Sequence, residues 1–185
     1  MSDNRHFQLV GAFNSGKSTH ADLLEKDGFK VVREIARMIL DGNPYFLGNV
    51  AACAKAGRYE EFQWRVTELS AMAERAYRDE NAVIDAGTIS AWAYAGLCEK
   101  PTADMLRARI ADHLSDCPPR KAIYFEPLPI KDDGLRHTDE KLQKRVAHEI
   151  LACCRKFGII VETIVATNVK DRHAQVRQAM RRSYS

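Results

Sequence analysis

The stretch Gly11 to Thr19, which reads GAFNSGKST, constrains the fold of this chain more than any other feature. Gly11, Gly16, Lys17 and Ser18 occupy the fixed positions of the pattern G-x-x-x-x-G-K-[ST]. In such a loop the backbone N–H groups point inward and form a concave anion site, and the helix that follows adds the positive end of its dipole. Glycines let the backbone take positive φ angles and approach an anion closely. The pattern therefore predicts a phosphate-binding loop.

The residues on either side of the loop support this interpretation. Residues 6–10 read as a short buried strand, and Ala21, Leu23 and Leu24 recur at helical spacing until Gly28. The order strand, loop, helix is the context in which this motif binds a nucleotide. We expect ATP and Mg²⁺ as cofactors. The predicted nucleotide-binding residues within the loop are Gly11, Asn14, Ser15, Gly16, Lys17, Ser18 and Thr19.

Two of these side chains have specific predicted roles. Lys17 is expected to reach the β- and γ-phosphates, and Ser18 is expected to ligate Mg²⁺ through its hydroxyl. Thr19 is expected to face the interior rather than solvent. These assignments follow from the position of each residue in the pattern.

Length and composition indicate an ordinary globular protein. The chain has 185 residues, of which 45% are hydrophobic and 29% charged, so we expect one domain over residues 1–185. No apolar run approaches the roughly 18 residues of a membrane span, and no signal peptide is visible. The five cysteines are odd in number and have no metal-site spacing, which indicates reduced, packed thiols. We expect a cytoplasmic protein without a membrane partner, in the host cytoplasm if the chain is phage-encoded.

Predicted strands and helices alternate along the chain. Strands are predicted at residues 6–10, 29–32, 82–85, 122–125 and 159–165, with helices between them and a basic helix from about 169 to 182. Residues 45–57 are ambiguous, and Thr138 is the predicted N-cap of the helix that ends near 157. This alternation predicts an α/β fold, a five-stranded parallel sheet with helices on both faces. A lid loop is expected near residues 127–138.

Two motifs argue against a switch GTPase. The late segment Asn168-Val169-Lys170-Asp171 has the letters of the guanine-reading N-K-x-D motif in the wrong order. The segment from Asp85 to Thr88 does not fit the D-x-x-G switch motif. An ATP-dependent kinase and a non-catalytic nucleotide-binding regulator remain.

Four further residues favour the kinase. Asp85 ends the strand expected beside the loop strand, where a carboxylate can hold Mg²⁺ or accept a proton from a substrate hydroxyl. Arg136 lies in the lid loop and can stabilise charge on the transferring phosphoryl group. Glu34 follows the second strand and Arg37 lies one helical turn later, both facing the transfer site. The sequence leaves open whether Asp85 or Glu34 is the base.

Five segments together resemble the small AAA-like P-loop ATPase and kinase family. They are GAFNSGKST, GFKVVREIAR, VIDAGTISAWAYAG, PLPIKDDGLRHTDEKLQKRVAHEI and the late Asp171-Arg172. The family includes the ribosylnicotinamide kinase domain of a bifunctional NAD-biosynthesis regulator and resembles phage P-loop kinases. The resemblance implies that the α/β fold is of the P-loop nucleoside- or nucleotide-kinase type. It also implies that Glu34 and Asp85 face the acceptor hydroxyl, that Arg136 is the lid arginine and that Arg172 lies near the nucleotide. Members of the family often have Asp-Arg where this chain has Asp85-Ala86.

The acceptor is left open between two classes. One is a nucleoside-like small molecule, ribosylnicotinamide or a nucleoside. The other is a hydroxymethylpyrimidine base in DNA, 5-hydroxymethyluracil, which is consistent with 14 basic and 8 acidic residues between Arg120 and the end of the chain. No oligomeric state is indicated. The predicted substrate residues are Arg37, Gln63, Trp64, Thr88 and Trp92, with the aromatic rings stacking on a base and Gln63 bonding its edge.

Overall fold

The computed structural model describes residues 5–129 and 139–181. Their centre is one five-stranded, all-parallel sheet with the order β2-β3-β1-β4-β5. β1 lies in the middle and is buried along its whole length, in agreement with its three apolar residues, Phe7, Leu9 and Val10; the fourth, Gln8, is a buried polar residue. The strands are β1 (Phe7–Val10), β2 (Lys30–Val32), β3 (Ala82–Asp85), β4 (Lys121–Phe125) and β5 (Val161–Ile164).

Helices cover both faces of this sheet, which confirms the predicted fold class. One core contains Phe7 and Leu9 of β1 and packs under α1 and α8, while the other contains Val10 and packs under α2 and α4 to α7. The helices are α1 (Lys17–Lys26), α2 (Ile35–Gly42), α3 (Val50–Lys55), α4 (Tyr59–Ala76), α5 (Thr88–Ala95), α6 (Thr102–Asp116), α7 (Glu140–Lys156) and α8 (Val169–Arg181).

The register of the sheet brings the two key segments together. Leu9, two residues before Gly11, pairs with Asp85 at the end of β3. The strand that carries Asp85 is therefore the direct neighbour of the strand that enters the phosphate loop, as predicted. Because all five strands are parallel, their carboxyl ends form a single edge, and the functional residues lie along it.

Several predicted details differ from the structure. The N-cap of α7 is Asp139, whose carboxylate accepts hydrogen bonds from the N–H groups of Lys141 and Leu142, and not Thr138. The fifth strand is shorter than predicted, because Ile160 and Val165 at its two ends are exposed at the edge of the sheet. Residues 45–57 form a short 3-10 helix, Pro44–Phe46, and then α3.

Two other expectations concern the loop after β4 and the thiols. Of the predicted lid at 127–138, only residues 127–129 belong to the described chain, so Arg136 and the rest of that segment lie outside it. All five cysteines are free and four are buried, as expected for packed thiols. No helix within the described ranges has the length and apolar character needed to cross a membrane.

Candidate active site

The phosphate loop is a tight turn between β1 and α1. A Cβ at Gly11, where φ is 152°, would lie 2.7 Å from the carbonyl oxygen of Phe125 and 2.9 Å from Ser15 Oγ. Gly16 is the N-cap of α1 and has a left-handed conformation with φ of 80°. The two fixed glycines are therefore required here, the first by close approach of β4 and the second by backbone conformation. The loop directs the N-terminus of α1 at its own concave side.

Lys17 folds back over this loop. Its ammonium donates hydrogen bonds to the carbonyl oxygens of Gly11 at 2.8 Å and Ala12 at 3.1 Å, and to Ser15 Oγ at 3.2 Å. The positive charge thus lies within the curl of the loop, where phosphate oxygens bind in proteins with this motif. Ser18 and Thr19 are exposed, so the expectation that Thr19 faces the interior is wrong.

Asp85 is a buried carboxylate at the end of β3, with 2% of its surface exposed. Burial raises its pKa to about 6, with the ammonium of Lys17 opposing the shift and the charge of Glu34 adding to it. A hydrogen bond with Ser18 also lowers the pKa. Its Oδ1 has no hydrogen-bond partner in the described part of the chain. The structure therefore brings Lys17, Ser18, Glu34 and Asp85 together around one unsatisfied carboxylate oxygen.

Glu34 reaches this centre from the end of β2, where it is the N-cap residue of α2. The preceding residue, Arg33, pairs with Asp22 and Glu25 of α1 and lowers the pKa of Asp85 through its charge. Sequence reasoning missed Arg33, although its place directly before Glu34 at a strand end was a usable signal. Arg37 points elsewhere: its side chain is 70% exposed and pairs with Asp41 at 3.3 Å.

Tyr94 of α5 lies near Glu34 and contacts a second tyrosine, Tyr59 of α4. Burial raises the pKa of the Tyr94 hydroxyl, and the charge of Glu34 raises it further. Tyr59 donates a hydrogen bond to the carbonyl oxygen of Tyr94 at 3.3 Å. Burial raises the pKa of the Tyr59 hydroxyl, and the neighbouring Gln63 side chain lowers it. Gln63 is 4% exposed. Gln63 is thus a neighbour of Tyr59, which contacts Tyr94; sequence reasoning missed Tyr59 because α4 offered no pattern that distinguishes it.

The other predicted substrate residues are placed differently. Trp92 is buried and contacts Phe157 edge to face, with the Lys156 ammonium 4.7 Å from its ring centroid. Trp64 lies on the outer side of α4 and lines a shallow surface cavity. Thr88 is buried and bonds to Glu74 of α4. In their described contacts, none of the three meets Glu34 or Asp85.

Arg172 is buried at the other end of the sheet edge, with 2% of its surface exposed. Its Nη2 donates to the carbonyl oxygens of Glu126 at 2.8 Å and Ile164 at 3.4 Å. Its guanidinium carbon lies 5.5 Å from the ring centroid of Phe125, and burial lowers its pKa. His20 of α1 stacks on the same Phe125 ring. Arg172 therefore joins β4, β5 and α8 behind the phosphate loop.

A side chain from α7 connects the phosphate loop to the segment after β4. Gln143 Nε2 donates to the carbonyl oxygens of Phe13 at 3.0 Å and Leu128 at 3.5 Å. The backbone N–H of Leu128 donates to the carbonyl oxygen of Asn14 at 3.3 Å. Sequence reasoning missed Gln143, because nothing in the helical pattern separates it from other polar residues. The contacts fix the start of the predicted lid against the loop.

The side chains around Asp85 fit a magnesium nucleotide better than a metal held by protein alone. No group of three or more His, Cys, Asp or Glu residues in the described ranges could hold a metal ion. Ser18 and the unsatisfied Asp85 carboxylate are oxygen donors, which Mg²⁺ prefers, and a site with so few protein ligands needs phosphates and water to complete it. These oxygen donors would thus fit an Mg²⁺ ion that is bound together with a nucleotide.

Comparison with known proteins identifies a family whose model matches this chain and solved structures that share its fold. The model of a family described as AAA domain matches residues 6–172. No curated protein matches the sequence. Among solved structures, the NadR protein in complex with NR superimposes with a TM-score of 0.72 at 16% identity, covering 98% of this chain and 52% of that one. This chain therefore spans about half the length of NadR.

A second solved structure matches over its whole length. Deoxyadenosine kinase from M. mycoides, with dCMP and dCDP bound, has a TM-score of 0.66 at 12% identity, covering 96% of this chain and 99% of that one. NadR in complex with NAD and AMP-PNP matches with a TM-score of 0.69 at 13% identity, covering 98% of this chain and 50% of that one. At these identities the likeness establishes the fold.

Proposed function

Because this chain belongs to the AAA domain family, which matches residues 6–172, we propose that it is an ATP- and Mg²⁺-dependent kinase. It transfers the γ-phosphoryl group to a primary hydroxyl of a nucleoside-like acceptor, ribosylnicotinamide or a nucleoside. The observation that carries this proposal is the buried Asp85 with its unpartnered Oδ1, next to Lys17, Ser18 and Glu34. A structural carboxylate at this burial normally has all its hydrogen bonds satisfied.

In this proposal one group of residues binds the nucleotide and another group orients and deprotonates the acceptor. On the nucleotide side, the loop N–H groups and the Lys17 ammonium hold phosphate oxygens and stabilise charge on the transferring group. Ser18, with Asp85, would hold Mg²⁺, which supplies charge neutralisation between the phosphates. Lys17 bonds to two carbonyl oxygens of the loop, and phosphate oxygens would replace those acceptors.

On the acceptor side, a carboxylate orients the primary hydroxyl and takes its proton. Asp85, whose pKa is raised to about 6, combines basicity with ionisation near neutral pH, which suits a general base. Glu34 stands on the neighbouring strand end and can accept the same proton. Substitution of each carboxylate by its amide separates the roles: the base loses turnover, whereas a metal ligand loses affinity for Mg·ATP.

The surroundings of Glu34 support a nucleoside-like acceptor. The charge of Glu34 acts on the half-buried Tyr94, whose backbone carbonyl contacts Tyr59, and the buried Gln63 lies next to Tyr59. An amide near tyrosine rings can bond to the edge of a base or a nicotinamide, and aromatic rings can pack on its face. Two of the solved structures with the same fold have nucleoside-type molecules bound, NR and dCMP.

The surface of α8 supports the DNA-base alternative less than the excess of basic residues in the sequence suggested. On the basic helix α8, Arg172 is buried and Arg177 lies 3.5 Å from Asp27. Arg181, in contrast, is exposed. Arg182 lies outside the described residues. A 5-hydroxymethyluracil base in DNA nevertheless has the same primary hydroxyl, so it belongs in the test.

The proposal is tested with labelled ATP and Mg²⁺ against nicotinamide riboside, the common nucleosides, and unmodified and hydroxymethylated duplex DNA. We expect label in one or more nucleoside-like acceptors and none in DNA. Label in hydroxymethylated DNA alone establishes the DNA alternative instead. Binding of ATP without transfer to any acceptor supports the non-catalytic regulator and overturns the kinase. The Lys17→Ala variant controls for contaminating kinases.

A further inference from the structure

A buried carboxylate behind the site bonds to the turn that follows Asp85. Glu74 of α4 has no exposed surface. One of its oxygens accepts from the backbone N–H of Thr88 at 2.6 Å, and the other accepts from Thr88 Oγ1 at 2.8 Å. His113 Nε2 of α6 lies 2.8 Å from the second oxygen. Thr88 is the first residue of α5, whose N-cap, Gly87, offers no side chain.

We propose that Glu74 is a positioning residue for Asp85: it caps α5 from outside and so fixes the turn Asp85-Ala86-Gly87-Thr88. The inference rests on the proposed kinase function. The N-terminal N–H groups of a helix have no acceptor within the helix, and an N-cap side chain usually accepts from one of them. Gly87 has no side chain, and Glu74 accepts from the N–H of Thr88, the first of these groups, so α4 holds the start of α5 and the turn before it in one place. A negative carboxylate also suits the positive end of the α5 dipole.

The turn itself needs this support. Ala86 has φ of 59°, a left-handed conformation that non-glycine residues adopt only where their surroundings impose it. On one side of Ala86 its N–H donates to the carbonyl oxygen of Leu9 at 3.0 Å, which ties the turn to β1. On the other side Glu74 holds Thr88. The carboxylate of Asp85 leaves the chain directly before this constrained residue, so its direction depends on the turn.

Packing around Gly87 shows how closely Glu74 meets the turn. A Cβ at Gly87 would lie 2.3 Å from Glu74 Oε1 and 2.8 Å from the side-chain oxygen of Gln8. Gln8, on β1, also accepts from the N–H of Ile89 at 3.3 Å. Glu74 and Gln8 thus pack against the turn and supply hydrogen-bond acceptors to the first residues of α5. If the Glu74 carboxylate is removed, the turn loses an acceptor and gains space.

The test compares Glu74→Ala and Glu74→Gln with a matched control, Glu68→Ala. Glu68 lies on the same helix and also bonds to α6, through Arg109, but it is partly exposed and does not contact the turn. We expect Glu74→Ala to lower kcat at least tenfold with KM for ATP within about threefold of wild type, since the loss is in orientation and not in nucleotide binding. Glu74→Gln keeps an oxygen for the Thr88 N–H and is expected within about fivefold of wild type. Glu68→Ala is expected to be indistinguishable from wild type.

Thermal unfolding and crystal structures of the same proteins separate positioning from stability and from the kinase function. A variant Glu74→Ala with a lower Tm but wild-type kcat at a temperature where it is folded overturns the inference. If that variant does not fold, Thr88→Val, which removes only the hydroxyl bond, is used, and a wild-type kcat there has the same meaning. If the wild-type protein transfers no phosphoryl group, the kinase proposal fails, but crystal structures still test the role of Glu74. A displacement of the Asp85 carboxylate by roughly 1 Å between wild type and Glu74→Ala supports positioning, and an unchanged carboxylate opposes it.

Discussion

Two buried charged side chains lie at the carboxyl edge of the same sheet, and the structure uses them in opposite ways. Asp85 and Arg172 are each 2% exposed. Arg172 donates to two backbone carbonyl oxygens and stacks over Phe125, so it joins the strands β4 and β5 to α8. Within the described ranges Asp85 has no such backbone contact, and it stands among Lys17, Ser18 and Glu34. Each side chain keeps buried polar atoms without a partner in the described chain, Oδ1 of Asp85 and Nε and Nη1 of Arg172. The two groups therefore differ in their neighbours and not in whether all their hydrogen bonds are made.

The environments of the two groups account for this difference. Burial raises the pKa of Asp85, and the charge of Glu34 raises it further. The charges of Lys17 and Arg33 lower that pKa. Such a combination is typical of sites that bind or transfer protons.

Around Arg172, burial lowers the pKa and the charge of Glu126 opposes the shift, and the direct contacts of the guanidinium are two backbone carbonyls and the Phe125 ring. We therefore expect substitutions in the first region to affect catalysis and those in the second to affect stability. Four predictions test this comparison, in order of decreasing effect.

The largest effect is expected from Lys17→Ala. One preorganised contact to a transferring group contributes roughly 3–5 kcal/mol, so turnover should fall by about 10²- to 10³-fold or more. The fold should persist, since Lys17 bonds to neighbouring residues of its own loop. Single-turnover transfer and circular dichroism measure the two properties. Turnover within about tenfold of wild type contradicts the role of Lys17.

The next effect is expected from Asp85→Asn, which should lower kcat more than it weakens ATP binding. The same variant should change the pH dependence of stability. Because the pKa of Asp85 is raised in the folded protein from 3.8 to about 6, the proton bound to it stabilises the fold at low pH. This stabilisation is lost as pH rises through about 6.

An asparagine at position 85 cannot ionise, so the Asp85→Asn variant does not lose stability in this way as pH rises. Above about pH 7 we expect Asp85→Asn to be more stable than wild type, by on the order of 2 kcal/mol, and near pH 4 the difference should vanish. Urea unfolding at both pH values measures it. An Asn variant that is less stable than wild type at neutral pH would show that Asp85 is a structural group like Arg172, and the comparison would fail.

The fold class and the centre of the candidate site could be predicted from the sequence, because both depend on local sequence patterns. The phosphate loop needs fixed residues at fixed spacing, and Asp85 ends an unbroken apolar strand, so both were found. Glu74, Tyr59 and Gln143 were not found, because each acts across a long separation in the chain and sits in an ordinary helical pattern. Trp92 was selected for its ring, yet the same ring also suits the core between α5 and α7.

A smaller effect, mainly on stability, is expected from Arg172→Met. The substitution removes the donor to the carbonyl oxygen of Glu126, while the Ile164 oxygen still accepts from the N–H of Glu126 at 3.2 Å. A buried acceptor without its donor costs about 1–3 kcal/mol. Chemical denaturation should show this loss, and kcat for the folded variant should stay within about threefold of wild type. A large rise in KM for ATP with unchanged stability would instead place Arg172 at the nucleotide and remove the contrast with Asp85.

The smallest effect is expected from Arg37→Ala, although the sequence placed Arg37 beside Glu34. Its side chain is 70% exposed and pairs with Asp41 on its own helix, and exposed pairs of this kind contribute little to stability. The neighbouring Arg33 is the arginine that acts on the charge of Asp85, so Arg33→Ala is the matched comparison. We expect kcat and KM for the acceptor to stay within about twofold of wild type in Arg37→Ala and to change more in Arg33→Ala. The reverse order would mean that α2 turns toward the acceptor when substrate binds, and that the acceptor side of the site, unlike the region of Arg172, is assembled by the ligand.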